Sequence, residues 1–203
     1  MLRQPPLQPR KQATQARSAR TVENILEAAA RILEGLGFEG YTTNAIAAKA
    51  GVSIGSLYQY FPNKDAITIA LIKRETARLL ADVTMAAAER DWRVAIAKMV
   101  EAGVVHQLRR PRLAWLLDVE EGRLREQSSG MQIVNAMHLK LVEVLMKSQI
   151  DLREGAVVVA FDMMAITRGM TDMAGTRGET DTGALLNRVL RAVFRYVGID
   201  KED

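Results

Sequence analysis

The chain has 203 residues, of which 48% are apolar, 26% charged and 5% aromatic, with no cysteine and a formal net charge of +4. That length buries a full core, the aromatic-poor composition favours helices over strands, and the lack of cysteine excludes disulfides, thiolate metal sites and thiol redox chemistry. No apolar run approaches the roughly 18–20 residues of a membrane helix. The Pro-, Gln- and Arg-rich start has no apolar stretch of a secretory signal, so a soluble, cytoplasmic protein is expected.

Residues 1–20 hold Arg3, Arg10, Lys11, Arg17 and Arg20, no acids, and Pro5, Pro6 and Pro9. This composition predicts a disordered basic arm, with only its last residues joining the first helix: either an inert leader or a segment that follows phosphates or enters a minor groove. Helix 1 is expected over 21–36, with Ile25, Ala28, Ala29, Ile32, Leu33 and Leu36 on one stripe. Gly35 and Gly37 end it, and Phe38 and Tyr41 are expected to close a small core. Next comes the most informative stretch, residues 42–64. A short helix with Ile46, Ala47 and Ala50 on its apolar face is capped by Thr42 or Thr43. Gly51 stands where a helix ends in the left-handed conformation. Ser53 can then cap a second helix over 54–60, with Leu57 and Phe61 turned inward. Gly55, Ser56, Tyr58, Gln59 and Tyr60 remain outside: small, hydrogen-bonding or aromatic, and uncharged. So short a helix buries little alone and makes sense as a rod held against DNA by its neighbours, a helix-turn-helix.

The stretch resembles the DNA-binding domain of the tetracycline-repressor (TetR) family of bacterial transcriptional regulators. The resemblance runs from Ile25-Leu26-Glu27-Ala28-Ala29 and Leu33-Glu34-Gly35-Leu36-Gly37 through Thr43 and Ile46-Ala47. It continues over Ala50-Gly51-Val52-Ser53, Gly55, Leu57-Tyr58, Tyr60-Phe61 and Lys64, about a quarter of the chain. It implies an all-α protein: a three-helix helix-turn-helix head, joined by a long helix to a C-terminal ligand-binding and dimerisation body. It implies a ligand-responsive regulator, most often a repressor, and no enzyme or cofactor. The family pattern puts Thr43, Asn44, Ser53 and Lys64 on phosphates. It turns Gly55, Ser56, Tyr58, Gln59 and Tyr60 to the groove, with Ile54 able to touch a thymine methyl. Gln59 is the one side chain there able to bond an adenine bidentately. Charge agrees with that placement: residues 1–74 hold ten Lys/Arg against five Asp/Glu, and the remainder 18 against 19.

Pro62 ends the second short helix, and Asn63 caps a long helix over 64–89 with no internal Gly or Pro, the expected mechanical link between head and body. Asp91 caps a helix to about 108, and Pro111 breaks the chain. Further helices are expected over 112–127, 130–150, 153–175 and 182–197, making nine and no convincing strand. The boundaries expected are arm 1–20, head 21–66 and body 67–203. The helix over 153–175 is apolar nearly all round and is expected to be sandwiched. The resemblance implies that the last two helices pair with those of a second copy, a homodimer with Asp162, Gly169, Val189, Val193 and Phe194 at its interface. Met99, Trp115, Met137, Phe161 and Met164 are the candidate pocket lining for an apolar or amphipathic effector. Trp115 follows the Pro111 break, where this family opens its pocket. The ten methionines fit an adaptable lining or plain core filling. Asp162 and Asp172 are expected to pair with Arg168 or Arg177 across the dimer, or one to serve as counter-ion to a cationic ligand. His106 and His138 have no companions at metal spacing, so no metal site is expected. No nucleophile elbow, phosphate loop or catalytic carboxylate pair occurs.

Overall fold

A computed structural model of the chain describes residues 16–124 and 130–198. The basic arm as far as residue 15, and the expected helical residues 125–127, lie outside them. Among the described residues there are nine helices and no strand. They are α1 (Ala16–Gly40), α2 (Thr43–Ala50), α3 (Ile54–Tyr60), α4 (Lys64–Ala86), α5 (Trp92–Arg109), α6 (Pro111–Arg123), α7 (Gly130–Lys147), α8 (Gly155–Thr176) and α9 (Thr182–Tyr196). No helix among them is long and apolar enough to cross a membrane.

The helices separate into two compact units, one formed by Met1–Glu75 with Leu113–Gly130 and the other by Thr76–Arg112 with Met131–Asp203. This division differs from a single boundary after residue 66: α4 runs through it, and most of α6 belongs with the head.

In the first unit Ile25, Ala29, Leu33, Tyr41, Ile46, Leu57, Phe61, Ile67 and Leu71 form one core, joined by Leu113, Leu116 and Leu117 of α6. Leu57 and Phe61 point inward as expected. Leu36 and Phe38, expected in the core, are instead 64% and 39% exposed. Phe38 follows Gly37, whose φ of 66° breaks the helical path, whereas Leu36 precedes the break and lies on the exposed side of α1. α1 also starts five residues before the expected position. Arg74 ties α4 to α1 by hydrogen bonds to Glu23 (2.8 Å) and Glu27 (3.4 Å), and bonds the neighbouring Glu75 at 2.6 Å.

The second unit packs α5, α7, α8, α9 and the end of α4 around Val83, Ile96, Val100, Val104, Leu145, Val159, Met163, Leu185, Val189 and Val193. Asp91 and Asp181 cap α5 and α9 through their carboxylates. Within one copy of the chain α8 is buried on one side only. Val159, Ala160, Met163, Thr171 and Ala174 are buried, whereas Val157, Val158, Phe161 and Met173 are exposed. Apolar composition all round the helix gave no clue to this one-sided burial.

Candidate nucleic-acid interface

The positions of the two short helices are set by caps that can be traced atom by atom. Thr42, not Thr43, caps α2: its Oγ1 accepts from the Ala45 amide at 3.2 Å. The chain leaves α2 through Gly51 at φ 69°, and the Gly51 and Val52 amides close the last turn on Ala48 and Ala47. Ser53 Oγ accepts from the Ser56 amide at 3.0 Å and lies 2.8 Å from Ser56 Oγ. Asn63 Oδ1 accepts from the Ala66 amide at 2.8 Å and starts α4. Three polar caps therefore position three consecutive helix N-termini, each an end where backbone amides and the helix dipole favour an anion.

Between the caps, α3 turns Leu57 into the core and presents Ile54, Gly55, Tyr58 and Gln59 on its exposed side, with Ser56 and Tyr60 half-buried. A Cβ added to Gly55 would meet only Ser53 Oγ, 3.9 Å away, so packing within the chain does not require glycine there. Two tyrosines are tethered. Tyr58 Oη lies 3.2 Å from Thr43 Oγ1, joining the middle of α3 to the start of α2. Tyr60 Oη accepts from Ser18 Oγ at 3.4 Å, joining the end of α3 to the first turn of α1. Asn44 and Lys64 are exposed, and the Lys64 ammonium stands 5.7 Å from the centre of the Tyr41 ring.

The structure thus gathers Thr43, Ser53, Ile54, Gly55, Ser56, Tyr58, Gln59 and Tyr60 on the paired short helices. It adds Ser18 and the exposed Arg17 and Arg20 of α1. Arg17 and Arg20 were read as part of the basic arm; Ser18 was not singled out, because residues 16–20 carry no cap signal. The phenol of Tyr41 is buried beside Thr68, whose hydroxyl lies 3.2 Å from it. Burial, reinforced by the nearby Glu120 and Asp65 charges and opposed by the Thr68 hydrogen bond, pushes its pKa up to about 12.

The residues expected in the body are more scattered. Trp115 is 54% exposed and falls in the first unit, whereas Met99, Met137, Phe161 and Met164 are in the second. Met99 is buried in the core, Met137 and Met164 pack against it, and Phe161 lies at the surface. The Phe161 ring stacks on His138 at 3.8 Å, and His138 Nε2 is 2.9 Å from the Val157 carbonyl oxygen and donates to it. Among the described residues no three His, Asp or Glu side chains group as a metal site.

Of the expected interface residues, Val189 and Val193 have no exposed surface. They fill the second unit's own core, because α9 turns its 185/189/193 stripe inward. This is a correction: the half-buried stripe of α9 is Leu186, Leu190 and Phe194. Gly169 is exposed. Asp162 accepts a short hydrogen bond from Tyr196, which pushes that phenol up to about 12. Asp172 accepts from Gln107 at 2.6 Å and lies 3.7 Å from Arg168 of its own helix.

Residues 25–71 match the sequence model described as "Bacterial regulatory proteins, tetR family". The chain is 30% identical over 105 residues to the HTH-type transcriptional repressor DrrR1 of Streptomyces coeruleorubidus, covering 51% of this chain and 36% of that protein. It is 35% identical over 65 residues to the A-factor receptor protein of Streptomyces griseus, covering 32% and 24%. The chain therefore spans about a third or less of the length of these relatives. Its fold is similar to that of the transcriptional regulator FadR of Bacillus subtilis, solved in complex with stearoyl-CoA. The TM-score is 0.75 at 19% identity, over 86% of this chain and 98% of that one. At that identity the likeness is one of fold.

Proposed function

The chain belongs to the tetR family of bacterial regulatory proteins, and from that premise we propose that it is a DNA-binding transcriptional repressor, released from its operator by a small-molecule effector. The observation that carries this reading is the capped α2–α3 pair, with its uncharged outward face and Gly55 left open. An exposed helix face of glycine, amide and phenol, with no charged side chain on it, suits the close approach of a base-pair edge. In this reading Thr43, Asn44, Ser53 and Lys64 hold phosphates at three helix starts. The Thr43–Tyr58 hydroxyl pair shares one of them. Ile54, Gly55, Ser56 and Gln59 face the groove, with Gln59 on an adenine. Tyr60, tethered to Ser18, positions more than it reads.

The working form is a homodimer in the cytoplasm, built from α8 and α9. The exposed Val158, Phe161 and Met173 and the half-buried Leu186, Leu190 and Phe194 form the apolar surface that supports it. Two recognition helices would then meet half-sites about one turn apart, roughly 34–36 Å. The effector is an apolar or amphipathic molecule held among the methionines of the body, a choice favoured by the fold's likeness to a regulator solved with an acyl-CoA. Effector binding acts through α4, which is continuous from Lys64 to Ala86. A coupling of about 1–3 kcal/mol suffices to change occupancy severalfold or more. Footprinting on the DNA flanking the chain's own gene tests the reading. A protected, salt-sensitive site is expected, and uniform protection at all salt concentrations would contradict it.

A further inference from the structure

The end of α6 holds a charge cluster that the repressor reading leaves unused. Arg123 Nη2 donates to Asp65 Oδ1 at 2.5 Å and to Glu120 Oε2 at 2.7 Å, and its Nε donates to Glu120 Oε1 at 3.0 Å. Glu120 is only 7% exposed. Asp65 occupies the first turn of α4, next to Lys64. Both carboxylates lie near enough to the Tyr41 phenol to oppose its ionisation, and the Lys64 ammonium stands over the Tyr41 ring. One guanidinium fork thus joins two acids, from different helices, within one cluster around the start of α4. The pair holds Arg123 well above the usual arginine range, chiefly through hydrogen bonds to Glu120 and then Asp65.

An aspartate in the first turn steadies a helix but repels a phosphate brought to the same end. Lys64 alone would be offset by Asp65, and Glu120 would add a second negative charge nearby. We propose that Arg123 is a positioning residue for the phosphate contact at the start of α4: from α6 it offsets one of the two negative charges of Asp65 and Glu120 and holds the Asp65 carboxylate in the cluster, so that Lys64 is left to face the DNA. The inference rests on the DNA-binding reading above. Arg123 acts through Asp65, so what it does to binding depends on whether Asp65 carries a charge. α6 thereby sets the affinity of the head by placing or withdrawing one cation, with no change in the residues that touch DNA.

The test is a double-substitution cycle on the full chain, read by anisotropy of a labelled mixed-sequence duplex across a salt series. Arg123→Ala is expected to weaken binding about two- to tenfold, the Coulomb effect of one unit charge at ~10 Å through a surface dielectric. Asp65→Asn in that background should restore most of the loss, while the same change in the unaltered chain does much less. Arg123→Gln with Glu120→Gln leaves no unpaired buried charge and the net charge of the cluster unchanged; because Asp65 then stands without its cation, a loss smaller than that of Arg123→Ala, still rescued by Asp65→Asn, is expected in a head of undiminished thermal stability. Additive effects of Arg123 and Asp65 would overturn the proposal. So would a salt slope reduced by about one that Asp65→Asn does not restore, since that marks Arg123 as a phosphate contact itself. Absence of any low-salt binding by the unaltered chain would instead overturn the DNA-binding reading, and the inference with it.

Discussion

Replacing Gly55 with alanine separates what the chain needs from what its ligand needs. Gly55 lies in the first turn of α3, in helical conformation, and a new Cβ would find only Ser53 Oγ at 3.9 Å. Alanine is the better helix former by about 1 kcal/mol in a helix interior, so ~0.5–1 kcal/mol of added head stability is expected this near the start. If the exposed face of α3 lies against base edges, the same methyl intrudes into the contact and should cost about tenfold in operator affinity, ~1.4 kcal/mol. Gly51→Ala is the control. It too has open space, but its φ of 69° makes a side chain costly, about 1–2 kcal/mol. That variant should be less stable yet bind normally per folded molecule. Urea unfolding gives one axis and anisotropy with the footprinted duplex the other. Unchanged or tighter binding by the Gly55 variant would refute the placement of α3 in the groove.

Gln59→Ala should cost about 1–3 kcal/mol at one operator position and relax specificity there, and equal loss on every sequence would leave Gln59 a mere positioning contact. Lys64→Ala should weaken binding to all duplexes and lower the slope of log affinity against log salt by about one. Phe161→Glu and Val158→Glu, at exposed sites, should give folded monomers by sedimentation, whereas Val193→Glu should unfold the second unit by burying a charge. Folded dimers from both surface variants would move the interface off α8. The neutral Tyr41 phenol is favoured in the fold, so its contribution is fully present below pH 10 and lost as pH rises through about 12. That amounts to ~2–3 kcal/mol. Tyr41→Phe should flatten the alkaline limb of stability, and an unchanged limb would assign it to other groups.

What the amino-acid sequence revealed most reliably was local. Gly51, Ser53 and Asn63 each act within a few residues of themselves, and those caps place α2, α3 and the start of α4 where the sequence reading put them. Apolar spacing at 25, 29, 33 and 57 likewise identified the head's core. Features that depend on distant partners were not legible. Periodicity shows that α9 has two apolar stripes, but not that 185/189/193 goes inward while 186/190/194 stays half-covered. Leu113, Leu116 and Leu117 read as body residues because nothing nearby in sequence says that they complete the head's core. The Thr43–Tyr58 and Ser18–Tyr60 contacts join residues 15 and 42 positions apart, beyond the reach of any pattern. Trp115, singled out because it follows a proline, lies largely in the open.

Selection from a random-sequence duplex library by the purified chain, followed by competition at fixed salt, tests the central claim most directly. A dimeric repressor should enrich a two-fold symmetric site with half-sites about one turn apart, and bind it ~10³-fold or more tighter than unselected DNA. A library that emerges without a shared motif, bound no better than at the start, would contradict it.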